Sequence, residues 1–144
     1  MDQTRENIQR YFRGEAQPPV AQLIGFRLTS IQGGEAHFEF RAAKRHTNPM
    51  GTLQGGVLCS VADAAMGYAY ASTLEENESF TTLELKINYL KPVRNGQLRA
   101  VGRVVKRGRT IGLTECDVTD ENGDLVARAW STCMTLRGDK ARGR

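Results

Sequence analysis

From Gly55 to Ser72 the chain reads GGVLCSVADAAMGYAYAS, a stretch of helical length that is apolar or small almost throughout. Apart from two tyrosines, its only polar side chains are Ser60, Asp63 and Ser72. A helix that is apolar all round is a buried one, so the rest of the chain must supply the layer that covers it. At helical spacing Gly56, Ser60, Asp63 and Gly67 fall on one face, while Leu58, Ala62, Ala65 and Ala69 line the opposite one. Both faces are lean, which lets other backbones come close on either side.

The flanking sequence supplies that covering layer as strands. Residues 2–13, DQTRENIQRYFR, set Ile8, Tyr11 and Phe12 at helical spacing, and Gly14 followed by Pro18-Pro19 ends this short amphipathic helix. AQLIGFRLTSI and EAHFEFRA flank Gly33-Gly34, a hairpin signal because glycine supplies positive φ in the turn. Residues 44–54 form a polar loop. After the long helix, TTLELKINYL alternates, with Leu83, Leu85, Ile87 and Tyr89 on one face and Thr82, Glu84, Lys86 and Asn88 on the other. The turns KPVRNG, GRT and DENG then lead into QLRAVGRVVKR, IGLTECDVT and LVARAWSTCMTL, which predicts a four-stranded antiparallel meander. The sum is an α+β domain over 1–136, with 1–20 as an N-terminal helix and lead-in and one buried helix packed on a curved antiparallel sheet.

Composition excludes several classes of function. The net charge is +4, but four basic residues and one acid lie in Arg137–Arg144, RGDKARGR, which reads as a flexible, solvated tail. The body is then nearly neutral, which argues against a nucleic-acid partner. No apolar run reaches the length of a membrane span, because Asp63 interrupts the best candidate. The three cysteines, Cys59, Cys116 and Cys133, show no CxxC spacing, and nothing resembles a signal peptide. These features point to the cytoplasm with reduced thiols and to small core cysteines. His37 and His46 have no carboxylate or cysteine at metal-ligand spacing, so no metal site is expected. GG before a helix is not a Walker loop here, because the Lys and Ser/Thr that should follow are missing.

Two features of the long helix carry chemistry. QGG at its start presents unpaired N–H groups and a partial positive charge, suited to a developing oxyanion or simply to a close-packed helix start. Asp63 loses hydration in an Ala-rich helix and needs compensation. It is either hydrogen-bonded to Ser60 or a neighbouring strand, or it faces a pocket where desolvation makes it a better base. Gly55 and Asp63 are eight residues apart, roughly 12 Å along a helix, whereas a reacting carbonyl must lie within about 3 Å of both groups. One chain cannot supply both. Two helices antiparallel across a two-fold axis can, which predicts an obligate homodimer with composite sites. Lys106, Arg107 and Arg109 cluster at a turn around Gly108, a pattern that suits phosphates and equally suits a solvated turn.

His46, Asn48, Gly51, Gln54-Gly55-Gly56 and Asp63-Ala64-Ala65 resemble the signature of hotdog-fold acyl-CoA thioesterases of the PaaI-like group. NYLKPV followed by VVKRGRT resembles the group's next two segments in the right order, so the likeness runs from about Gly25 to Leu136. The resemblance implies hydrolysis of aryl- or medium-chain acyl-CoA without metal or organic cofactor, coenzyme A being part of the substrate. It implies Asp63 as base or nucleophile and Gly55 N–H as oxyanion donor. Asn48 and Gln54 would orient the thioester, and Thr82 would hold the water. Tyr89, His46 and the turn Lys106, Arg107, Gly108, Arg109 and Thr110 would contact substrate or coenzyme A. Gln54 stands where one branch of the group has His, which keeps a hydrogen-bond donor and changes the pH behaviour. The group is similar in forming homodimers, often paired again as a dimer of dimers. Two rivals remain on the fold: an acyl-CoA sensor without catalysis, and a β-hydroxyacyl thioester dehydratase, which generally pairs His with an acid.

Overall fold

The computed structural model describes residues 3–142, with side chains from Glu6 onward; Asp2 of the expected first helix and Gly143-Arg144 of the expected tail lie outside the described residues. Helix α1 (Gln3–Phe12) and helix α2 (Pro19–Ile24) precede the hairpin β1 (Phe26–Gln32) and β2 (Glu35–Ala42). A 3-10 turn at Lys44–His46 and a loop lead to α3 (Gly55–Ala71), followed by β3 (Ser79–Tyr89), β4 (Gly96–Arg107), β5 (Ile111–Thr119) and β6 (Leu125–Leu136). The six strands form one antiparallel sheet in the order β1-β2-β4-β5-β6-β3. Every strand touches α3, so the sheet wraps around the helix in the expected hotdog arrangement.

The helix sits close because both layers are lean where they meet. Leu58, Ala62, Ala65 and Ala69 are all buried, as their common face requires. Opposite them the sheet offers Ala100, Gly102, Thr114, Cys116, Ala129 and Ser131, of which none carries a long side chain. A Cβ at Gly102 would lie 2.3 Å from the backbone carbon and oxygen of Ala65, so only glycine fits there. Polar groups drawn into this layer are paired: Thr114 Oγ1 and Ser131 Oγ are 2.5 Å apart, and Tyr70 Oη bonds Thr135 Oγ1 at 2.7 Å.

Four expectations are corrected. AQLI is the helix α2 and not the start of a strand: Pro19 occupies its first turn, where a missing N–H costs nothing, and Gly25 closes it at φ 94°. The meander holds only for β4, β5 and β6, because β3 pairs with β6 at the opposite edge. KPVRNG is therefore a crossover. Leu90 N–H and Lys91 N–H donate to Val126 O, Val93 O accepts from Leu53 N–H, and Lys91 Nζ reaches Asp120 and Asp124, which carries the segment across the sheet end.

The clean alternation of β3 breaks at Leu83, where the register with β6 slips between Thr82 and Glu84. A bulge of one residue inverts the side-chain parity beyond it. Thr82 thus faces the helix together with Leu85 and Ile87, which pack on the core, instead of pointing outward with Glu84.

The expected tail is docked for part of its length. Arg137 pairs with Glu78 at 2.6 Å, Gly138–Ala141 form a 3-10 turn, and Ala141 is buried. Glu78 also holds Arg107 at 3.2 Å, and the backbone N–H of Glu75, first, and then the Arg137 and Arg107 guanidinium groups hold its carboxyl below the usual range.

Gly102→Ala forces a methyl group into the backbone of α3, a form of overpacking. The expected result is a melting temperature lowered by at least about 5 °C in a calorimetric scan.

Candidate active site

Asp63 is exposed in the single chain, although the sequence suggested a buried position. The reason is that α3 is covered on the sheet side only: Gly56 and Asp63 are exposed, and Cys59 and Ser60 are half-buried. These four residues and the bulged segment Thr82–Leu85 enclose an open groove of ≈ 440 Å3 between α3 and β3. The stripe ends at Gly67, which Phe80 covers.

The two local explanations for Asp63 separate cleanly. Ser60 Oγ donates to Gly56 O at 3.0 Å, so it does not serve Asp63. Among the described residues no donor reaches the Asp63 carboxylate, and loss of water to the flanking helix and strand pushes its pKa up. The resulting group is an unpaired, partly desolvated carboxylate on the wall of a groove. Its field also helps to keep Cys59, already raised by burial, in the thiol form. Across the groove Thr82 Oγ1 lies 3.9 Å from Cys133 Sγ and has no stronger partner among the described residues.

At the other end of the stripe, Gln54 precedes α3 as its N-cap with no side-chain cap bond, and its side chain is exposed. Its backbone N–H donates to His46 O at 2.9 Å, which fixes the entry to the helix. Among the described residues neither Gly55 N–H nor Gly56 N–H has an acceptor. Tyr89 closes over this point, its hydroxyl donating to Gly55 O at 2.8 Å, and a Cβ at Gly55 would lie 2.7 Å from the Tyr89 ring. Glycine at 55 thus leaves a helix start with free donors beneath a tyrosine.

The remaining expected residues divide into available and engaged ones. Asn48 is turned into its own loop: Oδ1 accepts from Met50 N–H at 3.0 Å and Thr52 N–H at 3.2 Å, while Nδ2 donates to Thr52 Oγ1 at 3.0 Å. One amide hydrogen is left for another partner. His46 is not at the groove. Its ring is buried against Phe40, Ala43 N–H donates to Nδ1 at 3.0 Å, and Nε2 donates to Ile24 O at 2.7 Å. Those partners require the neutral Nε2–H tautomer and make His46 a strut for α2. His37 pairs with Glu35 at 2.6 Å on β2. Neither histidine therefore faces Asp63 within the chain. Arg107 is also engaged, with Nε donating to Thr73 Oγ1 at 3.1 Å, contacts to Glu78 and the Gly108 carbonyl, and its guanidinium 4.9 Å from the Tyr70 ring centre. Lys106 and Arg109 remain exposed at the turn, Gly108 N–H donates to Ile111 O, and Thr110 O accepts from Thr135 N–H.

Sequence reasoning missed Leu83, Leu85 and Glu84 as groove walls and Cys133 as the neighbour of Thr82. The first three follow from a bulge that alternation hides. The last follows from the β6–β3 pairing, which no local signal announces.

Residues 50–127 match the family model of the thioesterase superfamily. The 1,4-dihydroxy-2-naphthoyl-CoA hydrolase of Listeria monocytogenes is 27% identical, over 74% of this chain and 87% of that protein. The human acyl-coenzyme A thioesterase 13 is 29% identical, over 73% of this chain and 76% of that protein. A solved thioesterase family protein from Silicibacter pomeroyi superposes with a TM-score of 0.82 at 28% identity, covering 90% of this chain and 98% of that one. Among the described residues no helix is long and apolar enough to cross a membrane.

The raised pKa of Asp63 has a consequence for stability. A carboxyl whose pKa is raised on folding contributes stability that is complete below the unfolded value of 3.8 and is lost as pH rises through the folded value. Asp63→Asn removes the ionised form, so its melting temperature should exceed that of the parent at pH 7. The difference should shrink as pH falls below about 4, read from melts in a pH series.

Proposed function

The chain belongs to the thioesterase superfamily and is a thioester hydrolase, and on that premise we propose that it cleaves acyl-CoA thioesters at two composite sites of a homodimer. The single observation that carries this reading is the unpaired, desolvated Asp63 carboxylate, set eight residues along one helix from the free N–H groups of Gly55 and Gly56. That separation is about 12 Å, too far for one carbonyl to meet both. A second α3, antiparallel to the first, brings Gly55 of one subunit to Asp63 of the other.

The surface supports such an assembly. β3 is an edge strand; Leu83 and Tyr89 along it are 52% and 53% exposed, and Leu90 just past its end is 55% exposed. It runs beside the uncovered stripe of α3, and long apolar edges are natural pairing sites. A Cβ at Gly56 would meet nothing within 4 Å, so the stripe has room for a partner's backbone. Two β3 edges paired across a two-fold axis would cover both features together.

In the proposed reaction Asp63 takes a proton from a water held by Thr82. The hydroxide oxygen attacks the thioester carbonyl, and the oxyanion is held by the N–H of the partner subunit's Gly55. Collapse breaks the C–S bond, releasing the carboxylic acid and the coenzyme A thiolate, which is reprotonated. Gln54 and the remaining amide hydrogen of Asn48 orient the thioester, and Tyr89 closes over the carbonyl site. Lys106 and Arg109 meet the phosphates of coenzyme A, and Arg107 shapes their turn through Glu78 and Tyr70. No other cofactor takes part. An acyl-CoA sensor needs no unpaired carboxylate at the groove, and Asp63 therefore favours catalysis over binding alone.

Thiol release from a panel of acyl-CoA esters tests the reaction. Asp63→Asn should lower kcat by about 10²–10⁴-fold while S-alkyl-CoA still binds. The parent's kcat/KM should rise with pH through a carboxyl pKa above 3.8. Equal rates in parent and variant would remove Asp63 from the mechanism. Mixing inactive Asp63→Asn with inactive Gly55→Val should restore about a quarter of parent activity after subunit exchange, since each heterodimer regains one intact site. A fully active monomer would end the composite-site reading.

A further inference from the structure

Two cavities flank α1, and they differ in chemistry. The larger, ≈ 660 Å3, has Arg13, Glu75, Glu76 and Glu78 on its walls. The second, ≈ 450 Å3, is open to the surface and has no charged residue on its walls, which are Ile8, Tyr11, Phe12, Pro18, Tyr68 and Phe80 with the polar Ser79 and Thr81. Phe12 is common to both and packs edge-on against Tyr68 with ring centres 4.8 Å apart. Tyr68 in turn stands against Phe38 of the core at 5.0 Å, and burial pushes its phenol up to about 12. The chamber is thus uncharged, aromatic-walled and roofed by a short helix.

This chamber lies in line with the catalytic groove. Phe80 and Thr82 face α3 from the same side of β3, and Asp63 and Gly67 share one face of α3. The groove ends at Thr82 and Asp63; one helical turn further on, Phe80 rests over Gly67, where a Cβ would be 3.5 Å from its ring. Beyond Phe80 the chamber begins, and the larger cavity beside the same ring gives it room to turn aside. The groove and the chamber share no wall residue, so Phe80 separates them as it stands, and Gly67 beneath its ring carries no side chain that would block a path opened by its turning.

We infer that the chamber beneath α1 receives the distal end of a linear, medium-chain acyl group whose thioester sits at Asp63. The inference rests on the thioesterase reading and narrows its substrate. From Asp63 to Gly67 is about 6 Å along the helix, and an extended chain advances about 1.2 Å per bond, so about the first five carbons span the turn. Carbons beyond these enter the chamber, whose volume is within the range of ligand pockets. Each methylene buried there contributes about fourfold in affinity. A single aryl ring ends level with Phe80 and gains nothing from the chamber. α1 is in this sense the specificity element of the site, reached through Phe80, and carries none of its catalytic groups.

The test compares butanoyl-CoA, which ends before Gly67, with decanoyl-CoA, which passes it. Ile8→Trp fills the chamber, and the ratio of kcat/KM for decanoyl-CoA over butanoyl-CoA should fall at least tenfold. Ile8→Ala enlarges it, and the preference should move from decanoyl-CoA toward dodecanoyl-CoA. Calorimetric binding of the thioethers S-butyl-CoA and S-decyl-CoA repeats the comparison without chemistry, and the preference for S-decyl-CoA should be lost in Ile8→Trp. Ratios within twofold of the parent in both variants, with intact melting curves, overturn the chamber and leave the thioesterase standing. A parent that cleaves no CoA ester but loses its S-decyl preference in Ile8→Trp overturns the thioesterase reading and supports the chamber.

Discussion

The contact on which the rest of the structure depends is the meeting of Gly102 with the backbone of Ala65. At that point a strand and a helix come together with no side chain between them, since a Cβ on the strand would lie 2.3 Å from helix backbone atoms. So close an approach allows one sheet to curve around one helix and touch it with all six strands. The alanines of α3 and the small residues of β4, β5 and β6 are the conditions for that contact. A bulkier layer would hold the helix away, flatten the sheet and shift Thr82 relative to Asp63.

The same wrapping explains why an acid appears in an otherwise apolar helix. The sheet covers α3 on one side, and its two edges, β1 and β3, do not meet over the other. The uncovered stripe carries glycine, serine, cysteine and aspartate, and the free helix start lies at its end. The proposed chemistry lies on the side that the sheet leaves open, and an unpaired carboxylate is tolerated there because it keeps some contact with water.

Much of this was legible in the sequence, and the failures have identifiable causes. α3, the Gly33-Gly34 hairpin and the extents of β4, β5 and β6 follow from local pattern, because periodicity and glycine turns are short-range signals. The placement of β3 was not legible, since a crossover and a hairpin can share the same turn residues. Its bulge at Leu83 was hidden for a related reason: Leu-Glu-Leu alternates in sequence whether or not the ladder slips. Among the site residues, Asp63, Gly55, Gln54 and Thr82 line the uncovered stripe or its groove. His46 and Arg107 turned inward, because residue type and spacing do not reveal Ile24 O or Glu78 as waiting partners. A motif reports which residues recur together, not which of them face the ligand.

The strand order has one more implication, for the time course of folding. β3 is synthesised before β4, β5 and β6, yet among the described residues its only partner in the sheet is β6, the sixth strand in chain order. Until β6 is available β3 has no ladder, and Thr82 has no Cys133 beside it. The closing contacts span long sequence separations, which makes them late and slow relative to the β1–β2 hairpin. The wall beside Asp63 therefore waits on the β3–β6 ladder. A chain that stops short of β6 loses both the core residues of that strand and the partner that holds the groove wall in place.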